Sequence, residues 1–464
     1  MKPDQALTAL RQELGERGFL GASQVEERYL MDAVGRRGEP PLAVLRPANT
    51  QQVSRALAIC NAAGIPVTTQ GGRTGLVLGQ LPQPGEIVLS MERMAAIESV
   101  DADSAMATVQ AGVVLQALQE KLDALGLVFP LDLGARGSCT IGGNISTNAG
   151  GNRVIRYGMT RELVVGLEVV LADGTVLDGL KPHIKNNTGP DLKHLFIGSE
   201  GILGVVTRAV LRLAPKPAER TVALCAAGEF AQVRALLRHA RSRLGGELTA
   251  FEVMWDSYYS RAAGITGQSP LAAGHAFYVL LEASGADAGV AANLEATLHA
   301  AMEEGVVVDA VLAKSGAENA RLWELRDRSV EVSRLLGPVV AFDVSLRIAD
   351  MESFVAKLHT VAHGIDAGCA VIVYGHLGDG NLHLSVRVPP ERPETYAVIE
   401  RAVYELVGEY RGSISAEHGV GVSKREFLPH SRTAQEIAWM GHLKDTFDPK
   451  HILNRGRILQ HGDA

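Results

Sequence analysis

Two histidines flank a short polar turn in "YGHLGDGNLHLSV", residues 374–386. Asp379-Gly380 is a favoured two-residue hairpin turn. With that turn, residues whose numbers sum to 759 face one another. His376 then lies opposite His383, and Tyr374 opposite Ser385; a longer loop changes the register. Neutral imidazoles ligate transition metals, although paired histidines can also simply hydrogen bond. A third element follows in "SAEHGVG", residues 415–421. Glu417 could add an oxygen ligand, and His418, next to the flexible Gly419, could act as a base. Two histidines and one carboxylate leave open coordination positions and suit Zn²⁺, Mn²⁺ or Fe²⁺.

A second set of residues is placed for phosphate. Gly71-Gly72, Gly142-Gly143 and Gly150-Gly151 fall in the first half, the latter two around Asn144, Ser146, Thr147 and Asn148. Glycine lets backbone N–H groups approach a ligand, and successive N–H groups form anion-binding nests. Neither GxGxxG nor GxxxxGK[ST] occurs, so a Rossmann dehydrogenase or a P-loop NTPase is not supported. One pair would read as a turn; three amid Asn, Ser and Thr point to a phosphate-bearing cofactor.

These loops need elements to hold them. Residues 42–47 and 65–69 read as strands around a helix with Asn49 or Thr50 as N-cap and Gly64 as stop. Strands follow at 87–91 and 107–110, then a helix near 114–125, a hairpin about Asp173-Gly174 and a long strand at 203–215. "APKPAER", residues 214–220, reads as a domain boundary. Beyond it, strands near 221–226, 275–282, 305–312, 339–346, 370–376 and 382–388 are separated by amphipathic helices. The helices lie near 229–243, 290–303, 316–335, 351–364 and 392–410, which reads as an antiparallel α+β domain.

Composition excludes several classes. Net charge is −7 with no Lys/Arg stripe, so nucleic acid is not expected as a partner. The four cysteines, at 60, 139, 225 and 369, form no CxxC, which argues against a thiolate metal site and for a reducing compartment. The first residues lack the apolar core of a signal peptide, and no uncharged apolar run approaches the ~20 residues of a membrane span. A cytoplasmic location is the expectation. His194, His299, His359, His363, His430, His442, His451 and His461 have no partner constellation and read as surface or satisfied core residues.

"PVTTQGGRTGLVLG", "PLDLGARGSCTIGGNISTNAGGNRVIRYGM", "NTGPDLKHLFIGSEGILGVVT", "YGHLGDGNLHLSV" and "SAEHGVGVSKREFL" occur in this order. Together they resemble the FAD-dependent D-2-hydroxy acid dehydrogenases of the vanillyl-alcohol-oxidase/PCMH-type flavoproteins, over roughly residues 40–460. The resemblance implies an α+β fold: a PCMH-type FAD-binding domain at 1–216, an antiparallel α+β cap (substrate) domain at 217–444, and a C-terminal segment, 445–464, returning to the FAD domain. It implies that Gly71, Gly72, Arg73, Thr74 and Gly75 contact the FAD pyrophosphate. Ser138, Gly142, Asn144, Thr147, Asn148 and Gly150 would line the flavin channel, with Gly201 and Ile202 near the ring or the adenine. The first histidine in the chain is His183, so the early loops cannot supply a histidyl link and a non-covalent FAD is expected.

The resemblance also makes His376, His383 and Glu417 ligands of a divalent metal, Zn or Mn, and His418 the base. Arg326 matches a substrate-carboxylate arginine, and Lys424 is a further cation near the expected site. Val330, Ala341 and Ser385 stand where the hydroxyglutarate enzymes of the family carry threonine, lysine and asparagine, and Arg347 stands for a proline. D-2-hydroxyglutarate and D-lactate both remain open as substrates, with Ser385 and Arg347 among the residues expected to meet them. An electron acceptor such as an electron-transfer flavoprotein or a quinone is expected, with a cytochrome equally open, and homodimerisation is left open. The alternatives are an FAD-binding subunit of a glycolate oxidase-type complex and an FAD oxidase of another alcohol; relatives of those kinds generally lack the His/His/Glu/His set.

Overall fold

The computed structural model describes residues 1–460; His461 and the three residues after it lie outside the described residues. Two compact units divide the chain. Of the described residues, the first takes 1–151, 158–216 and 417–460, and the second takes 152–157 and 217–416. The C-terminal return thus starts at Glu417, where the sequence reading began it at residue 445.

In the first unit the helix Thr50–Ala63 forms where its caps require. Asn49 Oδ1 accepts from the Gln52 N–H at 2.9 Å, and Gly64 ends the helix in the left-handed region at φ 66°. Its buried Val53, Ala56, Leu57 and Cys60 recur at helical spacing and face the core. A four-stranded sheet runs in the order Phe19–Gly21, Ala43–Leu45, Ile87–Ser90, Val67–Gln70, with the last three strands parallel. A five-stranded antiparallel sheet runs Ile97–Asp101, Met106–Gln110, Val205–Arg212, Val164–Val170, Val176–Gly179. The C-terminal segment is pinned to the parallel sheet by Arg457, fully buried, whose guanidinium pairs with Glu86 and also donates to Leu81 O at 2.7 Å.

The second unit is built on a seven-stranded antiparallel sheet. Its order is Asp309–Leu312, Glu219–Ala227, Phe277–Gly285, Leu248–Trp255, Val371–His376, Asn381–Arg387, Val339–Ser345. One face packs against the helices Asp256–Thr266, Gly316–Asp327 and Ser329–Leu336 through Met254, Tyr258, Leu280, Leu322, Leu325, Val332 and Ile372. Phe277 and Trp255 point to the other face, where Phe230 of the helix Phe230–Leu244 meets both rings.

Three differences from the sequence expectation bear on the site. The central strand Leu248–Trp255 and the helix Asp256–Thr266 are additional. The expected single helix over 316–335 is two, interrupted at Arg328. The 374–386 hairpin has a longer connection than two residues: Leu377–Asp379 form a 3₁₀ turn and Gly380 is left-handed at φ 88°. The extra turn buries Leu377 completely and seats Gly378 against Ile155, contacts that a two-residue loop would forfeit.

Candidate metal and flavin sites

The longer loop changes the pairing. His383 lies opposite Tyr374 and Ser385 opposite Ile372, so partner numbers sum to 757 rather than 759. A shift of two leaves every side chain on its original face, because strand period is two. His376 and His383 therefore still share a face, as diagonal neighbours with ring centroids 5.2 Å apart.

Register assembles that face in rows. One row runs Met254, Tyr374, His383, Asp343 across four strands. The row on one side holds Leu280, Glu252 and His376; the row on the other holds Ile372, Ser385 and Ala341. A polar island is thus set into an otherwise apolar face, and its charges must find partners there. Glu252, 1% exposed, accepts from Arg326 Nε at 2.7 Å through Oε2, and its Oε1 lies 2.7 Å from His376 Nδ1. Arg326 reaches the sheet from the helix Gly316–Asp327, with its guanidinium carbon 4.7 Å above the Tyr374 ring and its carbonyl accepting from Tyr258 Oη at 2.6 Å. Burial would raise the Glu252 carboxyl, but His376 and Arg326 outweigh it and hold the group below its ordinary value. His383 is partly buried, with Nδ1 3.7 Å from Asp343 Oδ1.

Ligand atoms of His376, His383 and Glu417 all lie within 4.8 Å of one another. Local sheet geometry delivers Glu417: the Ala416 N–H just before it bonds Asp343 O at 3.3 Å, and Asp343 pairs with His383. With Nδ1 facing a carboxylate, His376 has Nε2 left as its ligand atom. Two imidazole nitrogens and one carboxylate oxygen fit a divalent cation of the Zn or Mn kind.

The other expected substrate residues are placed unevenly. Arg326 and Ser385 lie on this face, and Ser385 Oγ is 3.2 Å from Ser333 Oγ. Val330 is 56% exposed on the helix Ser329–Leu336. Arg347 is not brought into the cluster; its side chain is 83% exposed and pairs with Asp350 at 2.6 Å. Lys424 is buried in the first unit, where its charge acts on Glu200.

In the first unit the glycine loops converge. The loop carrying Gly71, Gly72, Arg73, Thr74 and Gly75 leaves the strand Val67–Gln70 and packs on the loop of Ser138 and Thr140. A Cβ at Gly72 would lie 2.0 Å from Ser138 O, so glycine there is required by loop-on-loop packing. Gly142 and Asn144 lie in the helix Ile141–Ser146, with Thr147 as its C-cap; Gly150 is buried just beyond. Arg73 and Asn148 are held in the left-handed region at φ 59° and 49°, a backbone cost characteristic of ligand-clamping loops. Among the described residues, no protein group accepts from the five backbone N–H groups of Gly71 to Gly75, and Thr140 Oγ1 is buried without a partner. That donor-rich loop fits a pyrophosphate. Gly201 and Ile202 are buried beside it: Asn454 Oδ1 accepts from Thr69 N–H at 2.9 Å, and its Nδ2 donates to Glu200 O at 2.6 Å.

Four contributors escaped the sequence reading. Glu252 sits in the strand that was not expected. Asp343 lies in the strand expected near 339–346 but was not singled out. Glu200 lies inside the quoted "NTGPDLKHLFIGSEGILGVVT", and Asn454 inside the C-terminal segment, neither singled out. Only the isolated glutamate in the apolar run "LTAFEVMW" offered a signal for Glu252.

Comparison with known proteins agrees with both halves. The FAD linked oxidases, C-terminal domain model matches residues 216–458, and an FAD binding domain model matches 41–179. The Oryza sativa subsp. japonica protein named "Probable D-2-hydroxyglutarate dehydrogenase, mitochondrial" is 41% identical, over 95% of this chain and 80% of its own length. The D-2-hydroxyglutarate dehydrogenase of Xanthomonas citri pv. viticola is 39% identical, over 94% and 93%. The structure of p-cresol methylhydroxylase superposes with a TM-score of 0.78 at 18% identity, covering 98% of this chain and 97% of that one, and shares its fold. The expected cytoplasmic location is corrected by these relatives: the rice protein is named mitochondrial, and so is an Arabidopsis thaliana relative 40% identical over 90% of this chain.

Proposed function

This chain belongs to the FAD-dependent D-2-hydroxy acid dehydrogenases, within the vanillyl-alcohol-oxidase/PCMH-type flavoproteins, and on that premise we propose how its own residues divide the work. The reading is oxidation of a D-2-hydroxy acid to the 2-oxo acid with a divalent metal. The observation that carries it is the grouping of His376, His383 and Glu417 on the sheet face that also holds the buried Arg326.

His376, His383 and Glu417 would hold the cation, Zn or Mn, and the loops at 71–75, 138–150 and 201–202 would hold a non-covalent FAD. The chemistry these groups supply when bound is hydride acceptance at flavin N5 and polarisation of the substrate hydroxyl and carboxylate. Arg326 pairs with the substrate carboxylate, its guanidinium kept in place by Glu252 and Tyr374. His418, adjacent to Glu417, takes the hydroxyl proton. Relatives named for D-2-hydroxyglutarate favour that substrate; the uncharged row Ile372, Ser385, Ala341 favours a monocarboxylate such as D-lactate. An electron-transfer flavoprotein or a quinone would reoxidise the enzyme.

The test is stopped-flow flavin bleaching with D- and L-2-hydroxy acids, with and without chelator. D-acids bleach the flavin, chelation stops it, and His418→Ala retains FAD while losing the bleaching. Bleaching that ignores chelator, or that L-acids alone produce, rejects the reading. Flavin that stays on acid-precipitated protein rejects the non-covalent attachment.

A further inference from the structure

Glu252 bonds through its two oxygens to both halves of the proposed site, the His376 imidazole on the metal side and the Arg326 guanidinium on the carboxylate side. It lies directly opposite His376 on the neighbouring antiparallel strand, so its carboxylate meets the ring edge-on without a long reach. Oε1 takes the Nδ1 side of the ring, which fixes the tautomer with the proton on Nδ1 and the lone pair on Nε2. Oε2 takes the Nε–H of Arg326, the donor at the root of the guanidinium. That leaves the terminal nitrogens for another partner, and one of them already lies 3.4 Å from His376 Nε2. Removing Glu252 would free the imidazole to flip its tautomer and the guanidinium to rotate about its last bonds.

We propose that Glu252 is a positioning residue that sets both divalent-cation affinity, through His376, and substrate-carboxylate binding, through Arg326. The inference rests on the functional reading above and goes beyond it by assigning one carboxylate control of two ligands. A glutamine at this place keeps the shape but has one acceptor oxygen and presents an N–H₂ to a donor, so it cannot serve both partners.

The experiment uses the FAD-loaded full chain and its Glu252→Gln and Glu252→Asp variants. Mn²⁺ affinity is read from the free ion's electron paramagnetic resonance signal, and kcat and KM are read with the D-2-hydroxy acid that bleaches the parent best. Glu252→Gln is expected to weaken Mn²⁺ by about 10- to 100-fold. It should also raise KM by about tenfold, with FAD content unchanged. Glu252→Asp, which keeps both acceptor oxygens, should recover part of each loss. Parental Mn²⁺ affinity and KM in Glu252→Gln overturn the inference and leave the functional reading standing. A parent that binds no Mn²⁺ overturns the functional reading, and this inference with it. A check read on the parent covers misfolding of the Glu252 variants: ¹⁵N-histidine spectra of the metal-free parent, with the His376 signals assigned from a His376→Asn sample, should show the His376 proton on Nδ1. A proton on Nε2 overturns the role.

Discussion

Glu200 reaches across more than two hundred residues of sequence to accept the backbone N–H groups of Val420 and Gly421 at 2.6 and 2.8 Å. The loop it holds begins just after Glu417 and His418. Gly419 is left-handed at φ 82°, and a Cβ there would stand 2.7 Å from a Glu200 oxygen, so carboxylate and loop fit only with glycine between them.

Glu200→Gln should keep FAD but lower turnover and loosen cation binding, because an amide can accept from only one of the two N–H groups. The stability cost should be about 1–3 kcal/mol, read from denaturant melts. Burial pushes the Glu200 carboxyl above its ordinary 4.5, against the two N–H groups and the Lys424 charge. A group raised in the fold adds stability that is complete below its unfolded value and is lost as pH rises through the folded value. The parent should therefore lose stability relative to Glu200→Gln across the window just above pH 4.5, and melts of both proteins through that window check the sign.

Arg326→Lys keeps the charge but lacks the fork that serves Glu252 and a substrate carboxylate together. KM should rise by about tenfold or more while FAD binding is unchanged. Arg326→Ala should be worse in a different way. It leaves the buried Glu252 carboxylate with His376 but without its guanidinium partner, and the fold should lose about 3–5 kcal/mol, visible as a lowered melting temperature.

Asn454 ties the strand before the first glycine loop to Glu200, with its own backbone at φ 41°. Asparagine tolerates that conformation better than alanine. Asn454→Ala should therefore release FAD more readily, read as flavin fluorescence appearing on dilution, and should destabilise the first unit by about 1–3 kcal/mol. Flavin retention equal to the parent would detach this bridge from cofactor binding.

Ala341 lies opposite Ser385, one row from His383. Ala341→Lys would place a cation on that face. The expected outcome is a rise in kcat/KM for D-2-hydroxyglutarate relative to D-lactate, measured with both acids on parent and variant. An unchanged ratio would remove this row from substrate selection.

Much of this protein was legible as sequence because its signals are local. Gly64 marked the end of its helix to the residue, the pair Asn49 and Thr50 marked its start to within one, and turn residues marked the first-half hairpin about Asp173-Gly174. The motif order announced the flavoprotein family, which the family models and relatives bear out. The strand Leu248–Trp255 did not show, for a physical reason. It is central in its sheet and buried along nearly its whole length, so it has no polar alternation, and it runs into the helix at Asp256 without a breaker. The interruption at Arg328 likewise carries no Gly or Pro to announce it.

The sequence by itself determined the residue types: two histidines on one strand face, a carboxylate after them, three glycine pairs and an arginine on a helix. A two-residue change in the hairpin could not move the histidines off their face, because parity survives an even shift. Only the tertiary structure decided who stands beside them. Glu252 meets His376 and Arg326 because the seven-stranded sheet brings the unexpected strand against Val371–His376, a long-range pairing that no local pattern encodes. Arg347 stays exposed and pairs with Asp350, three residues on, rather than joining the cluster.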